Sequence, residues 1–220
     1  MRYLVEHFDT VWMHTLEHIE ITAVAVGLAI AIGVPLGIAV TRVPRLEGDV
    51  LGAASLFYLI PSLALFAVLI PVTGLGTAPA IIGIVLYAQL VLIRNTAVGI
   101  NNTDAALIEA GKGMGMTGRQ ILWHVQVPLA LPAIMAGIRV ATVMSIGVAS
   151  IAAYLGVGGL GTLIYRGMQS LYTDMVIAGA LPVSLLAIVA ERLLVLVERR
   201  LGRDRSYVAP SAGGAKAMGT

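Results

Sequence analysis

Cysteine is missing from this chain altogether, and charge is scarce: Asp, Glu, Lys and Arg make up 12% of its 220 residues, against about 25% in an ordinary soluble domain. Without cysteine there are no disulfides and no thiolate metal sites, so the compartment must be read from topology. Aromatic residues are also few, at 5%. No Gly-x-x-x-x-Gly-Lys-Ser/Thr occurs: Lys112 lacks the upstream glycine and the following hydroxyl, so ATP hydrolysis by this chain is not expected. Glu6, Asp9, Glu17 and Glu20 stand before the first long apolar run, where a secretory leader would be basic, and no removable leader is expected.

What is abundant is apolar sequence, 58% of the chain. Crossing a hydrocarbon core about 30 Å thick takes around 20 apolar residues of helix. Residues 21–40 meet that length without a charge. Residues 50–93 are uncharged throughout, but Pro71, Gly74, Gly76 and Pro79 punctuate them, which reads as two spans joined by a tight loop. The third of these spans is short between Pro79 and Ile93, so the helix is expected to run on past Arg94 toward Ile100. A fourth span covers residues 140–165, entered from about Ala133, and a fifth runs from about Met175 to Val197. The expected fold is therefore all-α, a polytopic membrane protein of about five transmembrane helices.

Loop charge orients the spans. Arg42 and Arg45 follow the first; Arg94, Lys112 and Arg119 fall in or beside the long segment after the third; Arg199, Arg200, Arg203, Arg205 and Lys216 follow the fifth. The loop at 71–79 has no charge, and the opposite side holds only Arg2 and Arg166. The positive-inside rule then places the N-terminus outside and the C-terminus in the cytoplasm. Apolar residues at helical spacing between Tyr3 and Ile19 suggest an amphipathic helix on the outer surface, with Trp12 as anchor. Residues 1–19 are thus expected to form an interfacial segment, 20–200 the membrane domain, and 201–220 a disordered tail. Arg139 falls within the fourth span, where an isolated charge is costly. Its stem can snorkel to the cytoplasmic surface, or it faces a subunit contact or a pathway.

The cytoplasmic segment 104–128 carries the functional signal. A short helix from about Asp104 to Lys112 is capped by the Asn or Thr residues before it, with acidic Asp104 near its positive end. Glycines 111, 113, 115 and 118 break it, and a second helix runs from about Thr117, its cap, to Val127, ending before Pro128. Within it stand Glu109-Ala110-Gly111, three residues, Gly115, nine residues, then Val125-Gln126-Val127-Pro128. This spacing resembles the EAA loop of ABC importer permeases, with Gly111 where that family has a third alanine and Val125 and Val127 where it has isoleucine and leucine. Further stretches, among them residues 16–18, 32–37, 60–64, 92–96 and 155–161, are similar to the osmoprotectant branch, which imports glycine betaine, choline, carnitine and related quaternary amines; a methionine or other amino-acid importer is the alternative.

The resemblance implies a coupling helix seated in a groove of a separate ATP-binding cassette subunit, with Glu109 as polar anchor, Ala110 and Gly111 as close-packing face and Gly115 as turn. It also implies a soluble substrate-binding protein, a second permease copy or a paralogue, a lipid environment and a prokaryotic inner or plasma membrane. ATP and magnesium would bind the partner, and this chain no cofactor. No nucleic-acid partner is expected. With so few aromatics here, an aromatic cage for a quaternary ammonium would belong to the binding protein. Polar residues within spans, Ser62 beside Pro61, Tyr87, Gln89, Asn95 and Ser145, are pathway candidates, though helix–helix hydrogen bonds explain such residues at least as often.

Two motifs point elsewhere and are set aside. Gly156-x-Gly158-x-x-Gly161 fits a dinucleotide fingerprint, but that motif works only between a strand and a helix; here it follows a membrane span, where glycines permit tight re-entry or close helix contact. His14-x-x-Glu17-His18 fits an inverted zincin pattern, yet no third ligand presents itself, so no metal is expected. A channel or secondary carrier would show more ionisable residues deep in its spans.

Overall fold

A computed structural model describes residues 2–202, and among these all regular structure is helical. The helices are α1 (Arg2–Glu6), α2 (Phe8–Val40), α3 (Pro44–Leu59), α4 (Ser62–Thr73), α5 (Thr77–Asn101), α6 (Ala105–Gly113), α7 (Gly118–Ile121), α8 (Val127–Ala152), α9 (Leu160–Gln169) and α10 (Thr173–Gly202). By length and composition four helical stretches can cross a membrane, and a fifth if α3 and α4 together form one bent span. The tail expected beyond residue 202 lies outside the described residues.

Helix α5 is the centre of the bundle, packed between α2 and α8. The contact surface of α2 is a stripe of small residues, Ala25, Ala29, Gly33 and Gly37, all buried. Lipid is as apolar as leucine, so helices gain from close backbone approach and dispersion contact rather than from escape from water. A Cβ added at Gly33 would lie 2.8 Å from Leu92 Cβ, and one at Gly37 would lie 2.5 Å from Thr96 Cβ and 2.9 Å from the Ile93 carbonyl oxygen. Gly137 of α8 meets Asn95 in the same way, with 2.7 Å to its Cβ, and Gly99 of α5 meets Ala133 at 2.8 Å. Small residues thus alternate between the helices, and the larger partner always sits opposite a glycine.

The extension of the third span holds, since α5 continues through Arg94 to Asn101, 25 residues in all. Three other expectations are revised. No break separates an interfacial segment ending at residue 19 from the first span, because α2 is one helix of 33 residues. The second span is bent by 102° where α3 meets α4: Ile60 and Pro61 are extended, and proline disfavours helix at the residue before it. The fourth span stops at Ala152, with a 3₁₀ turn Ala153–Leu155 behind it, rather than reaching Tyr165. Gly156, Gly158 and Gly159 all have positive φ, a conformation that lets the chain reverse. Residues beyond them form the separate α9, which packs on α10. An uncharged run cannot by itself reveal that turn.

The glycine turn also joins the two motifs set aside above. Gly159 N–H donates to Glu17 Oε2 at 2.7 Å, and the same carboxylate oxygen lies 2.8 Å from His14 Nδ1. His18 is buried, and its Nε2 donates to the Ile146 carbonyl at 3.1 Å. The two histidines therefore face different partners, and no cluster of three metal-ligating side chains occurs among the described residues. This network clamps the start of α2 to the far end of α8, opposite the segment 104–128.

Candidate functional site

Residues 104–126 form a compact helical knuckle at the end of the bundle where α5 stops and α8 begins. Its first helix is capped by Asp104 itself, whose Oδ1 accepts from Ala106 N–H at 2.9 Å, rather than by the Asn and Thr residues before it. An aspartate at this position satisfies one orphan amide and places negative charge at the positive end of the helix. Gly115, at φ +79, makes the turn between α6 and α7. Thr117 then opens α7 with a reciprocal capping box: Gln120 N–H donates to Thr117 Oγ1 at 3.3 Å, and Thr117 N–H donates to Gln120 Oε1 at 2.7 Å.

Glu109 and Ala110 lie exposed on the outer side of α6. Glu109 pairs with Lys112 at 3.1 Å, and both side chains are more than half exposed, so the pair is loosely held and its carboxylate remains available. Gly111 is buried on the inner side, where α6 packs on α7; a Cβ there would meet Ile121 Cγ1 at 3.3 Å and Met116 Sδ at 3.4 Å. Ala110 is exposed and Gly111 buried, so the close packing at Gly111 is internal to the knuckle. Met114 and Trp123 project from it, 75% and 52% exposed. The knuckle thus presents an exposed carboxylate and two large exposed apolar side chains on a unit braced by two caps.

Pro128 does not end the helix as the sequence suggests. Between α7 and α8 the chain winds as a π-turn, Leu122–Gln126, in which Val127 N–H bonds to the Leu122 carbonyl five residues back. A wider turn absorbs the proline, whose missing N–H and ring would clash with regular i to i−4 winding. The helical run from Gly118 to Leu155 is consequently unbroken, 38 residues long, and joins the knuckle to the membrane helix as one rod. Val125, Val127 and Pro128 are half-buried along this joint. Leu122 packs with Ile100, Ala130 and Ile134 in one buried cluster, against Val34 and Ile38 of α2 and Val127 and Ile138.

A further tie was not legible in the sequence. Arg42, just past α2, donates from Nη2 to Oε1 of the buried Gln126 at 2.6 Å. The sequence signal for it is weak, since Gln126 occupies the variable position of the loop motif and Arg42 is 84 residues away. This bond fixes the π-turn to α2 as well as to α5 and α8.

The five polar residues named as pathway candidates are engaged mainly in helix contacts. Tyr87 donates its hydroxyl to the Ile60 carbonyl, an acceptor left free by the bend at Pro61. Gln89 donates to Val85 O at 3.1 Å and Ala29 O at 3.4 Å, and Asn95 donates to Val91 O at 2.8 Å. Ser145 is buried with no hydrogen-bond partner to its hydroxyl among the described residues, and Ser62 is half-buried in the first turn of α4. Arg139, in contrast, is paired: its Nε lies 3.5 Å from Glu198 Oε2 on α10.

Comparison with known proteins agrees with this architecture. Residues 10–203 match the family described as the binding-protein-dependent transport system inner membrane component. The osmoprotectant import permease protein OsmW of Salmonella typhimurium is 45% identical over 199 residues, 88% of this chain and 93% of that protein. The carnitine transport permease protein OpuCB of Listeria monocytogenes is 42% identical over 90% of this chain and 91% of its own length. Among solved structures, the MetNI methionine ABC transporter in inward-facing conformations aligns with a TM-score of 0.77 at 23% identity, covering 91% of this chain and 98% of that one; at that identity the likeness speaks to the fold. The match over nearly the whole chain, together with the knuckle rooted in its three core helices, shows that this protein belongs to the binding-protein-dependent transport system inner membrane components, a family of multi-pass ABC importer permeases.

Proposed function

We propose that this chain forms the translocation pathway of an ATP-driven importer for a small quaternary-ammonium osmoprotectant, such as glycine betaine, choline or carnitine. The observation that carries this reading is the knuckle: two capped helices presenting Glu109 to solvent and continuous through the π-turn with α8. The substrate class is supported by relatives at 40–45% identity, whose names specify carnitine, choline, glycine betaine or osmoprotectants. The alternative of a methionine or other amino-acid importer is supported by fold neighbours at 16–24% identity, which speak to the fold alone.

In this reading the knuckle occupies a groove of a separate ATPase subunit, which holds the ATP and magnesium, while this chain binds no cofactor. Glu109 supplies an anchoring charge-assisted hydrogen bond, with Met114 and Trp123 as the apolar contact beside it. A second copy or a paralogue completes the pore, and a soluble binding protein delivers solute to the outer face. The N-terminus lies outside and the knuckle in the cytoplasm. Closure of the ATPase pair pushes the two knuckles together and shifts the population from inward-open to outward-open states. Because the π-turn is bonded to α2 through Arg42 and packed on α5, the three core helices move as one body.

Co-purification followed by reconstitution tests this. A nucleotide-binding subunit should come down with the chain, and proteoliposomes containing both, supplied with the binding protein, should take up radiolabelled glycine betaine or choline only with ATP. Uptake without any ATPase subunit would indicate a carrier and contradict the reading.

A further inference from the structure

We infer that a cleft between α3, α8 and α10 is a solute-binding station within the membrane, built for a small molecule that carries a quaternary ammonium and, in its zwitterionic form, a carboxylate. This rests on the substrate class proposed above and adds the site at which this chain reads it. The cleft has a volume of about 510 Å³ and is lined by Tyr58, Arg139, Val140, Val143, Met144 and Glu191, among others. That is the size range of small-molecule sites, roughly 300–1,000 Å³, and the mix of apolar walls with a few convergent polar groups is what such sites require.

Depth makes these residues unusual. Arg139 stands about 18 Å along α8 from its start at Val127, and Glu191 about 16 Å along α10 from Gly202, at the usual helical rise. Both fall within helical stretches that are long and apolar enough to cross a membrane. Ionisable groups at such positions face a protein interior or an aqueous path rather than lipid. Helix α10 is exposed along most of its length in this chain, Glu191 included.

Each wall supplies a different part of the recognition. Tyr58 is the penultimate residue of α3, 43% exposed, immediately before the 102° bend. Its ring is braced edge-on by Tyr87 at a centroid distance of 6.2 Å, and Tyr87 is in turn held by the Ile60 carbonyl. A braced, half-exposed aromatic ring and a carboxylate, Glu191, lining the same cleft provide cation–π attraction and opposite charge for an ammonium that has no N–H to donate. Arg139 offers the guanidinium fork that a carboxylate takes in two parallel hydrogen bonds. Its present partner Glu198 sits at 3.5 Å, longer than a charge-assisted hydrogen bond, and both side chains are about 30% exposed. A solute carboxylate can replace Glu198 at Arg139 without opening a tight pair. The charged residues that line the cleft are Arg139 and Glu191, and a cation without a carboxylate also fits, using Tyr58 and Glu191 alone.

The test is uptake of choline and glycine betaine by the complete importer, comparing wild type with Tyr58→Ala, Tyr58→Phe, Glu191→Gln and Arg139→Gln. Membrane content and melting temperature are measured for each, and Arg139→Gln/Glu198→Gln serves where the single arginine change leaves Glu198 unpaired and unstable. The expected result is a KM raised about tenfold for both solutes in Tyr58→Ala and Glu191→Gln, with Tyr58→Phe recovering most of the loss. Arg139→Gln should lower the ratio of glycine betaine to choline uptake about tenfold, because only one of the two has a carboxylate. A wild type that transports both solutes, with KM unchanged in Tyr58→Ala and Glu191→Gln, or with Arg139→Gln leaving the ratio of the two solutes unchanged, would overturn the station and leave the importer reading standing. A wild type that transports neither would overturn both.

Discussion

Replacing Gly37 with alanine isolates the force that holds the core helices together. Glycine within a helix costs about 0.8–1.0 kcal/mol relative to alanine, so on propensity alone the change stabilises α2. At Gly37 the new methyl would lie 2.5 Å from Thr96 Cβ and 2.9 Å from the Ile93 carbonyl oxygen. The second of these is backbone and cannot turn aside, so α2 and α5 must part. Overpacking of this kind costs about 1–3 kcal/mol. Gly27, on the exposed side of the same helix, has nothing within 4 Å of the corresponding position, and its alanine variant gains the propensity with no clash. Comparing the two cancels the propensity term and leaves packing alone, a gap of about 1–3 kcal/mol. At about 2–4 °C per kcal/mol for a chain of this length, Gly37→Ala should melt several degrees below Gly27→Ala. Fluorescence melts in detergent, read from Trp12 and Trp123, supply the measurement. Should Gly37→Ala melt with or above Gly27→Ala, close backbone approach is not what holds α2 on α5, and the rigid three-helix frame beneath the knuckle loses its basis.

Reversing charge at Glu109, in Glu109→Lys, should leave the fold intact because the side chain is 73% exposed and, among the described residues, paired with Lys112 alone; ATP-dependent uptake should fall by about tenfold or more as the anchoring carboxylate is replaced by a charge of the opposite sign. Gln126→Leu should destabilise by about 1.5–3 kcal/mol through loss of the bond from Arg42, and a double-mutant cycle with Arg42→Ala should return coupling of that sign, whereas independent, additive effects would remove this tie from the account. Gly158→Ala places a methyl 2.5 Å from Glu17 Oε2 at a residue with φ +82; about 1–2 kcal/mol of left-handed strain adds to that clash, so amide exchange at Gly159 should accelerate, and unchanged protection there would show that the clamp between α2 and the glycine turn is not formed.

How much of this was legible in the sequence follows from the range of each interaction. The knuckle was, because its determinants are local: Glu109, Gly115 and the Thr117 cap act on residues three or four positions away. The length of α5 was legible too, since a span too short for the bilayer must continue. The stop at Pro128 was misread because the rule for the residue before proline assumes regular winding, and a π-turn sidesteps it. The fourth span was drawn too long because hydropathy registers apolarity and not the positive φ of Gly156, Gly158 and Gly159. Polar residues in spans were the least readable of all. Tyr87, Gln89 and Asn95 satisfy backbone carbonyls in their own or neighbouring helices, while Tyr58 and Glu191, which neither composition nor spacing singles out as pathway residues, converge on a cleft only through the bend at Pro61 and the approach of α10 to α8.

The absence of native cysteine makes a direct test of the central claim possible, since a single cysteine at Met114, 75% exposed at the tip of the knuckle, would be the chain's only thiol. Membrane vesicles of both orientations are treated with an impermeant maleimide, then with a short bifunctional cross-linker. The expected result is labelling only when the cytoplasmic face is outward, and a cross-link to a nucleotide-binding subunit that shifts with ATP. Labelling from the opposite face, or a knuckle that cross-links to no nucleotide-binding protein, would contradict the account.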